Sequence, residues 1–507
     1  MTDPHSNIRI PRPETRWVMI AAWVVVLISS APYAVVALTT PTEMRFAGAL
    51  VTPIDGQSYF AKMRQGLDGA WLFRLPFTAN DEPDALLFTF HIGLGHLARI
   101  SGAELMAVYQ AARLVGGWAL LVVVYALIAR VFDEVNERRR AWWFVALTAG
   151  LGWIAGTSSD VTIPESNTFF SVLTNAHFAA SMALIIVIFM AVLDGRWRRA
   201  ALASIGLAIL QPFAPMAVYS GVLVSWMIGW AIGKRGELLQ QVRVTIVAGL
   251  SLSPLLIYFY FATQRDPILQ GWSAQNLTPS PPPIEYLLGY GLMGVLAILG
   301  ARFALKRRRE VDVLLVGWAI SSALLLYAPF ALQRRFSLGL HIPIVLLAVL
   351  VMSSVARPQL RKWLPGVVFA LSLPTTLVLL FVTSTAALRP PDGRLFFSTN
   401  EAAAFDWLRD NVSHDSVVMA APETDLFLPA WGDVRVIYGH PFETLNAPKM
   451  KALVEDFFTG RMDRATVLRE QKVDYIFFGP RERRLGEADS EWHSEFSAGD
   501  VTIYRSP

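Results

Sequence analysis

Four short clusters in this 507-residue chain combine residue types able to do chemistry on a hydroxyl or a phosphate. The first is Pro53-Ile54-Asp55-Gly56-Gln57-Ser58-Tyr59-Phe60, where Asp55 stands at the start of an expected helix. A carboxylate there either caps the helix by accepting its first amide hydrogen bonds or takes a proton from an acceptor hydroxyl as general base. The two roles are compatible, because amide hydrogen bonds keep a carboxylate ionised and fixed. The second, Asn80-Asp81-Glu82-Pro83-Asp84, could hold a cation or a basic partner, or could be a solvated turn. His91 and His96 follow it, five apart, a spacing that shares a helix face poorly and makes a weak metal pair.

The third cluster is Pro164-Glu165-Ser166-Asn167-Thr168, with Asn175-Ala176-His177 opening the next apolar run. Polar groups at the end of such a run face a cavity or lipid headgroups, so His177 reads as an interface residue or a substrate contact. The fourth is Gln333-Arg334-Arg335-Phe336. Guanidinium groups bind phosphate bidentately, so these arginines suit a lipid phosphate or pyrophosphate, or ordinary anionic headgroups.

The elements that must position these residues are mostly membrane spans. The chain is 54% hydrophobic and only 17% charged, with a mean hydropathy of +0.43, whereas a soluble domain carries roughly a quarter charged residues. Uncharged runs reach the ~20 residues that cross a bilayer. This excludes a soluble enzyme, a disordered chain and a nucleic-acid binder, and the net charge of +4 reflects basic loops between apolar runs. Cysteine is absent, which removes disulfides and thiolate chemistry.

About eleven spans are expected, at roughly 17–38, 110–131, 141–156, 176–193, 199–211, 213–233, 240–262, 285–304, 311–330, 338–356 and 363–386. The first follows Arg9, Arg12 and Arg16 and is too long for a secretory signal, so the N-terminus is expected in the cytoplasm. Alternation then places the basic loops 133–140, 194–199, 234–235, 306–309 and 357–362 inside, as the positive-inside rule requires. The run 86–97 is too short to span and reads as a re-entrant or surface-lying helix. Arg334 and Arg335 fall in an outer turn against the charge bias, which calls for a compensating reason.

The outer loops are 39–109, 157–175 and 263–284, the last stiffened by Pro279, Pro281, Pro282 and Pro283. Phe60, Met63, Leu67 and Trp71 recur at helical spacing, with Lys62, Arg64, Gln65 and Asp68 on other faces, the pattern of a helix buried along one stripe in the membrane interface. From about Arg389 the composition is that of a soluble domain. Ser398 and Glu401 suggest a capping box, residues 416–421, 434–438 and 473–478 read as strands, and 447–460 reads as a helix. The expected architecture is an α-helical polytopic membrane domain over 1–387 and a small extracytoplasmic α/β domain over 388–507, without a glycine-rich phosphate loop.

This arrangement resembles the GT-C superfamily of integral-membrane glycosyltransferases, over the whole chain in architecture. The resemblance is most specific at Asp55, at Glu82-Pro83 and at Gln333-Arg334-Arg335-Phe336. The segments Phe405-Asp406-Trp407-Leu408, Gly439-His440-Pro441-Phe442-Glu443-Thr444 and Val473-Asp474-Tyr475-Ile476 are similar to the C-terminal domains of bacterial members. The resemblance implies transfer of a sugar from a polyprenyl-phosphate or -pyrophosphate donor to an extracytoplasmic glycan, lipid or protein acceptor. Asp55 would be the base, Arg334 and Arg335 would bind the donor phosphate, and Tyr59, Glu82, Glu165 and His177 would line the substrate pocket. Gly56 follows Asp55 where several branches carry a second acid, and the Trp-Trp-Asp motif of oligosaccharyltransferases is missing. Asparagine-linked transfer is therefore not expected, and neither is a cofactor, with a divalent cation left open. A transporter or flippase of lipid-linked sugars is the alternative. Only the region of Gln211-Pro212 and Pro215 has the interruption such proteins tend to show in both halves.

Overall fold

The computed structural model describes residues 10–234, 238–386, 388 and 393–507. Arg9, Arg235, Ala387 and Arg389, used above for orientation and the domain boundary, lie outside the described residues. Seven helices among the described residues are long and apolar enough to cross a membrane: Leu105–Val131, Ala176–Leu193, Ala214–Ala231, Leu239–Arg265, Pro283–Arg307, Gln333–Ser353 and Pro358–Ala386. The pair Arg12–Ser29 and Ala31–Thr39, bent by 41°, makes an eighth if it counts as one span. The remaining expected spans correspond to the shorter helices Val135–Leu147, Trp197–Leu210 and Glu310–Leu325. At 1.5 Å per residue these are about 20–24 Å long, short of a ~30 Å hydrocarbon core.

The chain forms two compact units. The first comprises Met1–Pro32, Gln110–Tyr258 and Leu277–Thr383. Its helices pack by close backbone approach; a Cβ on Gly300 would lie 2.0 Å from the Leu347 carbonyl oxygen, so only glycine lets Pro283–Arg307 meet His341–Ser353 there. A buried charge inside this unit is held by neighbouring helices: Arg113 donates to Ser29, Ser30 and the Val172 carbonyl.

The second unit comprises Tyr33–Tyr109, Phe259–Asn276 and Ser384–Pro507. Strand β1 (Met44–Phe46) pairs antiparallel with β2 (Phe396–Ser398), so the C-terminal segment shares its unit with the first long loop. The strands expected within 416–421, 434–438 and 473–478 appear as β3 (Val417–Met419), β4 (Arg435–Val436) and β5 (Tyr475–Phe478). With the hairpin β6 (His493–Ala498) and β7 (Val501–Arg505) they make a five-stranded sheet in the order β4-β3-β5-β7-β6. β3 runs parallel to β4 and β5, and β7 antiparallel to β5 and β6. The helix Thr399–Asn411 has the capping box read from sequence: the Glu401 amide donates to Ser398 Oγ, and the Ser398 amide to the Glu401 carboxylate. Its buried face, with Phe405 and Leu408, joins Val418, Val436, Phe477, Ile503 and, from the long loop, Ala47 and Phe77.

The stripe of helix Pro53–Asp68 is covered differently from expectation. Phe60 and Met63 are fully buried within the unit, and Trp71 lies beyond the helix and exposed. Protein replaces lipid on that stripe because helix Thr89–Ser101 comes to backbone distance: a Cβ on Gly66 would meet the Ile92 carbonyl oxygen at 2.0 Å.

Candidate active site

Helix Pro53–Asp68 begins with Pro53, whose missing N–H costs nothing at a first helical position. The residue before it, Thr52, makes no side-chain cap bond. Asp55 therefore sits inside the first turn and not at the position that precedes the helix. The positive end of the helix dipole still favours its charge. Asp55, Tyr59 and Lys62 recur at i, i+4 and i+7, which puts them on one helix face.

The Asp55 side chain is 48% exposed, and its Oδ1 stands 3.5 Å from Nε2 of His440, which is 3% exposed. His440 lies in the loop after β4 and is held by its own backbone. Its Nδ1 accepts the amides of Phe442 and Glu443, each at 3.2 Å. The Gly439 and His440 amides both donate to Thr444 Oγ1. Gln275, at the end of helix Pro267–Gln275, donates to the Phe442 and Thr444 carbonyls and accepts the Asn446 amide.

One helical turn along, the Tyr59 ring stacks on His91 at 4.6 Å. Lys62, expected on a polar face of an interfacial helix, is 1% exposed and donates to Glu443 Oε1 and Ser58 Oγ, both at 2.6 Å. Ser58 donates to the same Glu443 oxygen at 2.6 Å, and the Lys62 ammonium lies 4.0 Å from the centre of the Phe88 ring. Burial pushes the Glu443 carboxyl upward, but Lys62, His440 and Ser58 together outweigh it and hold it below the usual range.

Glu82 is also buried in this unit. Its Oε1 accepts the Leu75 amide at 2.6 Å, and its Oε2 lies 3.6 Å from Arg435. Burial raises its carboxyl, opposed by the Leu75 amide and Arg435. Arg435 also donates to Asp81 at 3.1 Å and to the Asn80 carbonyl. The basic partner of the acidic cluster is thus a strand residue of the same unit.

Glu165, His177, Arg334 and Arg335 belong to the other unit. Glu165, buried in the turn Pro164–Ser166, is brought beside the turn Gln333–Ser337 that carries both arginines. The proline-rich segment braces that turn: Arg334 N–H donates to the Thr278 carbonyl at 3.0 Å, and Ser280 N–H to Gln333 Oε1 at 3.2 Å. The Arg335 guanidinium lies 6.0 Å over the Phe213 ring. Both Nε atoms are buried, and neither has a hydrogen-bond partner among the described residues. His177 opens helix Ala176–Leu193, with its ring 4.5 Å from Phe178.

No family model and no curated sequence matches the chain. Solved structures do. ArnT from Cupriavidus metallidurans bound to undecaprenyl phosphate is 13% identical, with a TM-score of 0.55 over 95% of this chain and 98% of that one. The chain shares the fold of that structure. The Archaeoglobus fulgidus oligosaccharyltransferase in complex with zinc and sulfate is 15% identical, with a TM-score of 0.53 over 96% of this chain and 73% of that one. Mycobacterial arabinofuranosyltransferase AftD is 15% identical and gives 0.51 over 99% of this chain and 40% of that one. At these identities the likeness shows a shared fold alone and leaves the chemistry to the residues.

Within this fold, His440 stands beside Asp55, Glu443 pairs with Lys62 on the same helix face, and Gln275 holds the loop of His440, roles that none of the four has from sequence alone. The run His440-Pro441-Phe442-Glu443-Thr444, dense in polar types between a strand and a helix, was the available signal. Asp55 offers a carboxylate to a cation, His440 Nδ1 is taken by the Phe442 and Glu443 amides, and Glu443 gives Oε1 to Lys62 and Ser58. Among the described residues no three His, Asp or Glu side chains form a metal-ligand set.

The buried ion pair gives one expectation. Lys62→Met leaves Glu443 without its counter-charge and should destabilise this unit by ~3–5 kcal/mol. Thermal unfolding in detergent measures the loss, and the double variant Lys62→Met/Glu443→Leu should regain most of it. A second concerns pH. Burial first, then the neighbouring Asp68, pushes Asp433 up to about 7, against Arg64. A carboxyl raised on folding contributes stability that is full below its unfolded pKa and lost as pH rises through the folded one. The melting temperature of Asp433→Asn should therefore gain on wild type between about pH 4 and pH 7 and hold that gain above it. Asparagine suits the site, where φ is 55°.

Proposed function

We propose that the chain is a membrane glycosyltransferase that moves a sugar from a polyprenyl-phosphate or -pyrophosphate donor to an acceptor hydroxyl on the extracytoplasmic side. The observation that carries this reading is a half-exposed carboxylate, Asp55, held in the first turn of a helix beside a buried imidazole, in a chain with the GT-C fold. ArnT was solved with undecaprenyl phosphate, a lipid of the donor class invoked here. In the proposed reaction Asp55 takes the acceptor's hydroxyl proton and the freed oxygen attacks the anomeric carbon. The bond from that carbon to the lipid phosphate breaks, and the phosphate leaves with the bonding electrons. Arg334 and Arg335 are assigned to that phosphate, whose charge grows as the bond breaks. Tyr59, Glu82, Glu165 and His177 are assigned to the sugar or acceptor, Glu82 acting by holding the loop that Arg435 anchors.

The N-terminus is assigned to the cytoplasm and the C-terminal segment to the outside, in keeping with basic loops on the inner side. The reaction needs no cofactor for its proton or leaving group. The test is a proteoliposome assay with a panel of polyprenyl-phosphate donors labelled in the sugar. Label appearing on a new acceptor supports transfer. Label that crosses the bilayer still attached to its lipid supports a flippase and overturns the reading.

A further inference from the structure

His440 is unusual in being fully specified on one nitrogen and open on the other. Nδ1 accepts two backbone amides, from Phe442 and Glu443. In the neutral ring that fixes the tautomer, because the nitrogen that accepts cannot carry the proton, and Nε2 carries it. Nε2 is buried, makes no hydrogen bond among the described residues, and stands 3.5 Å from Asp55 Oδ1. A buried donor left unmade costs free energy, and such contacts often tighten only when substrate binds. The loop around it is over-determined by the Thr444 hydroxyl and by Gln275. Other charged groups near the ring are Glu443 on its own loop and Lys62 on the helix, and those two are paired with each other. Lys62 and Ser58 both hold Glu443 Oε1, and the carboxylate that stands beside Nε2 itself is Asp55, at 3.5 Å.

We propose that His440 is the positioning residue of Asp55: an imidazole held by backbone amides as an Nε2–H donor, which orients the carboxylate and favours its ionised form. This rests on Asp55 being the base. His440 itself takes no proton from substrate, since its one accepting nitrogen faces backbone amides. A donor to the charged form of a carboxyl favours ionisation, so removing it should make Asp55 harder to ionise. Glutamine can place an amide N–H near the position of Nε2–H, whereas alanine cannot.

The test uses purified full-length wild type, His440→Ala and His440→Gln. The pH dependence of carbodiimide modification at Asp55, read by mass spectrometry of the labelled peptide, reports the ionisation of that carboxyl without needing a substrate. The expected result is a midpoint about one pH unit higher in His440→Ala, largely restored in His440→Gln. An unchanged midpoint in all three overturns the proposal, as does an equal shift in both variants, which would mark a structural effect. Sugar transfer in the same preparations should fall roughly tenfold in His440→Ala, with the acid limb of its pH profile moved the same way. If labelling shifts as expected but Asp55→Asn still transfers sugar at the wild-type rate, the base reading fails while the coupling of His440 to Asp55 stands.

Discussion

Asp55→Asn is expected to lower kcat for sugar transfer by about 10³-fold while leaving donor affinity near wild type. General-base catalysis contributes about 10²–10⁴-fold, and an amide of the same shape cannot accept the acceptor's proton. Because the change is confined to the chemical step, kcat and kcat/KM should fall together. Folding should be little affected. The Asp55 side chain is 48% exposed, and it stands inside the first turn rather than at the position before the helix. Asp55→Glu should recover only part of the rate, since one added methylene moves the carboxylate off a position set by a rigid helix and a buried ring. Rates over a range of acceptor concentrations, with melting temperatures as control, check this.

Arg334→Ala or Arg335→Ala should each cost about 10²–10³-fold in transfer, the scale for removing one group that stabilises developing charge. Unlike the Asp55 variants, these should also weaken binding of a polyprenyl phosphate. The expectation that they do little harm to the fold comes from the same geometry. The turn is held by the Arg334 amide and by Gln333, and the two buried Nε atoms have no partner to lose among the described residues. A buried polar group without a partner costs stability, so arginine there needs another reason. Lysine should not rescue either position, because an ammonium cannot reproduce the planar fork that grips a phosphate bidentately.

Much of this arrangement was legible in the sequence. The apolar runs gave the helices, Ser398 and Glu401 gave the capping box, and the β-branched and aromatic runs near 417, 435 and 475 gave three strands of the sheet. These are local signals, carried by periodicity or by residues three apart. The surroundings of Asp55 are not local. Lys62 and Glu443 are 381 positions apart, and nothing in either segment announces the other. Lys62 looked solvent-facing because its type usually is; burial became tolerable only through a partner from the far end of the chain. The interfacial stripe of the same helix was misassigned for a related reason. Periodicity shows that a face is buried but not whether lipid or protein covers it, and here helix Thr89–Ser101 lies against Met63 and Gly66 while Tyr109 and Trp431 pack on Phe60. The helix starts at Pro53, before Asp55, so Asp55 stands inside the first turn and Thr52 precedes the helix.

The most direct test of the account compares wild type and Asp55→Asn in one experiment, with transfer of labelled sugar from a polyprenyl-phosphate donor and donor binding measured on the same purified samples. The expected result is labelled product from wild type, a loss of about 10³-fold in the variant, and equal donor binding by both. Equal product from both proteins would contradict it, because the carboxylate beside His440 would then have no part in the reaction.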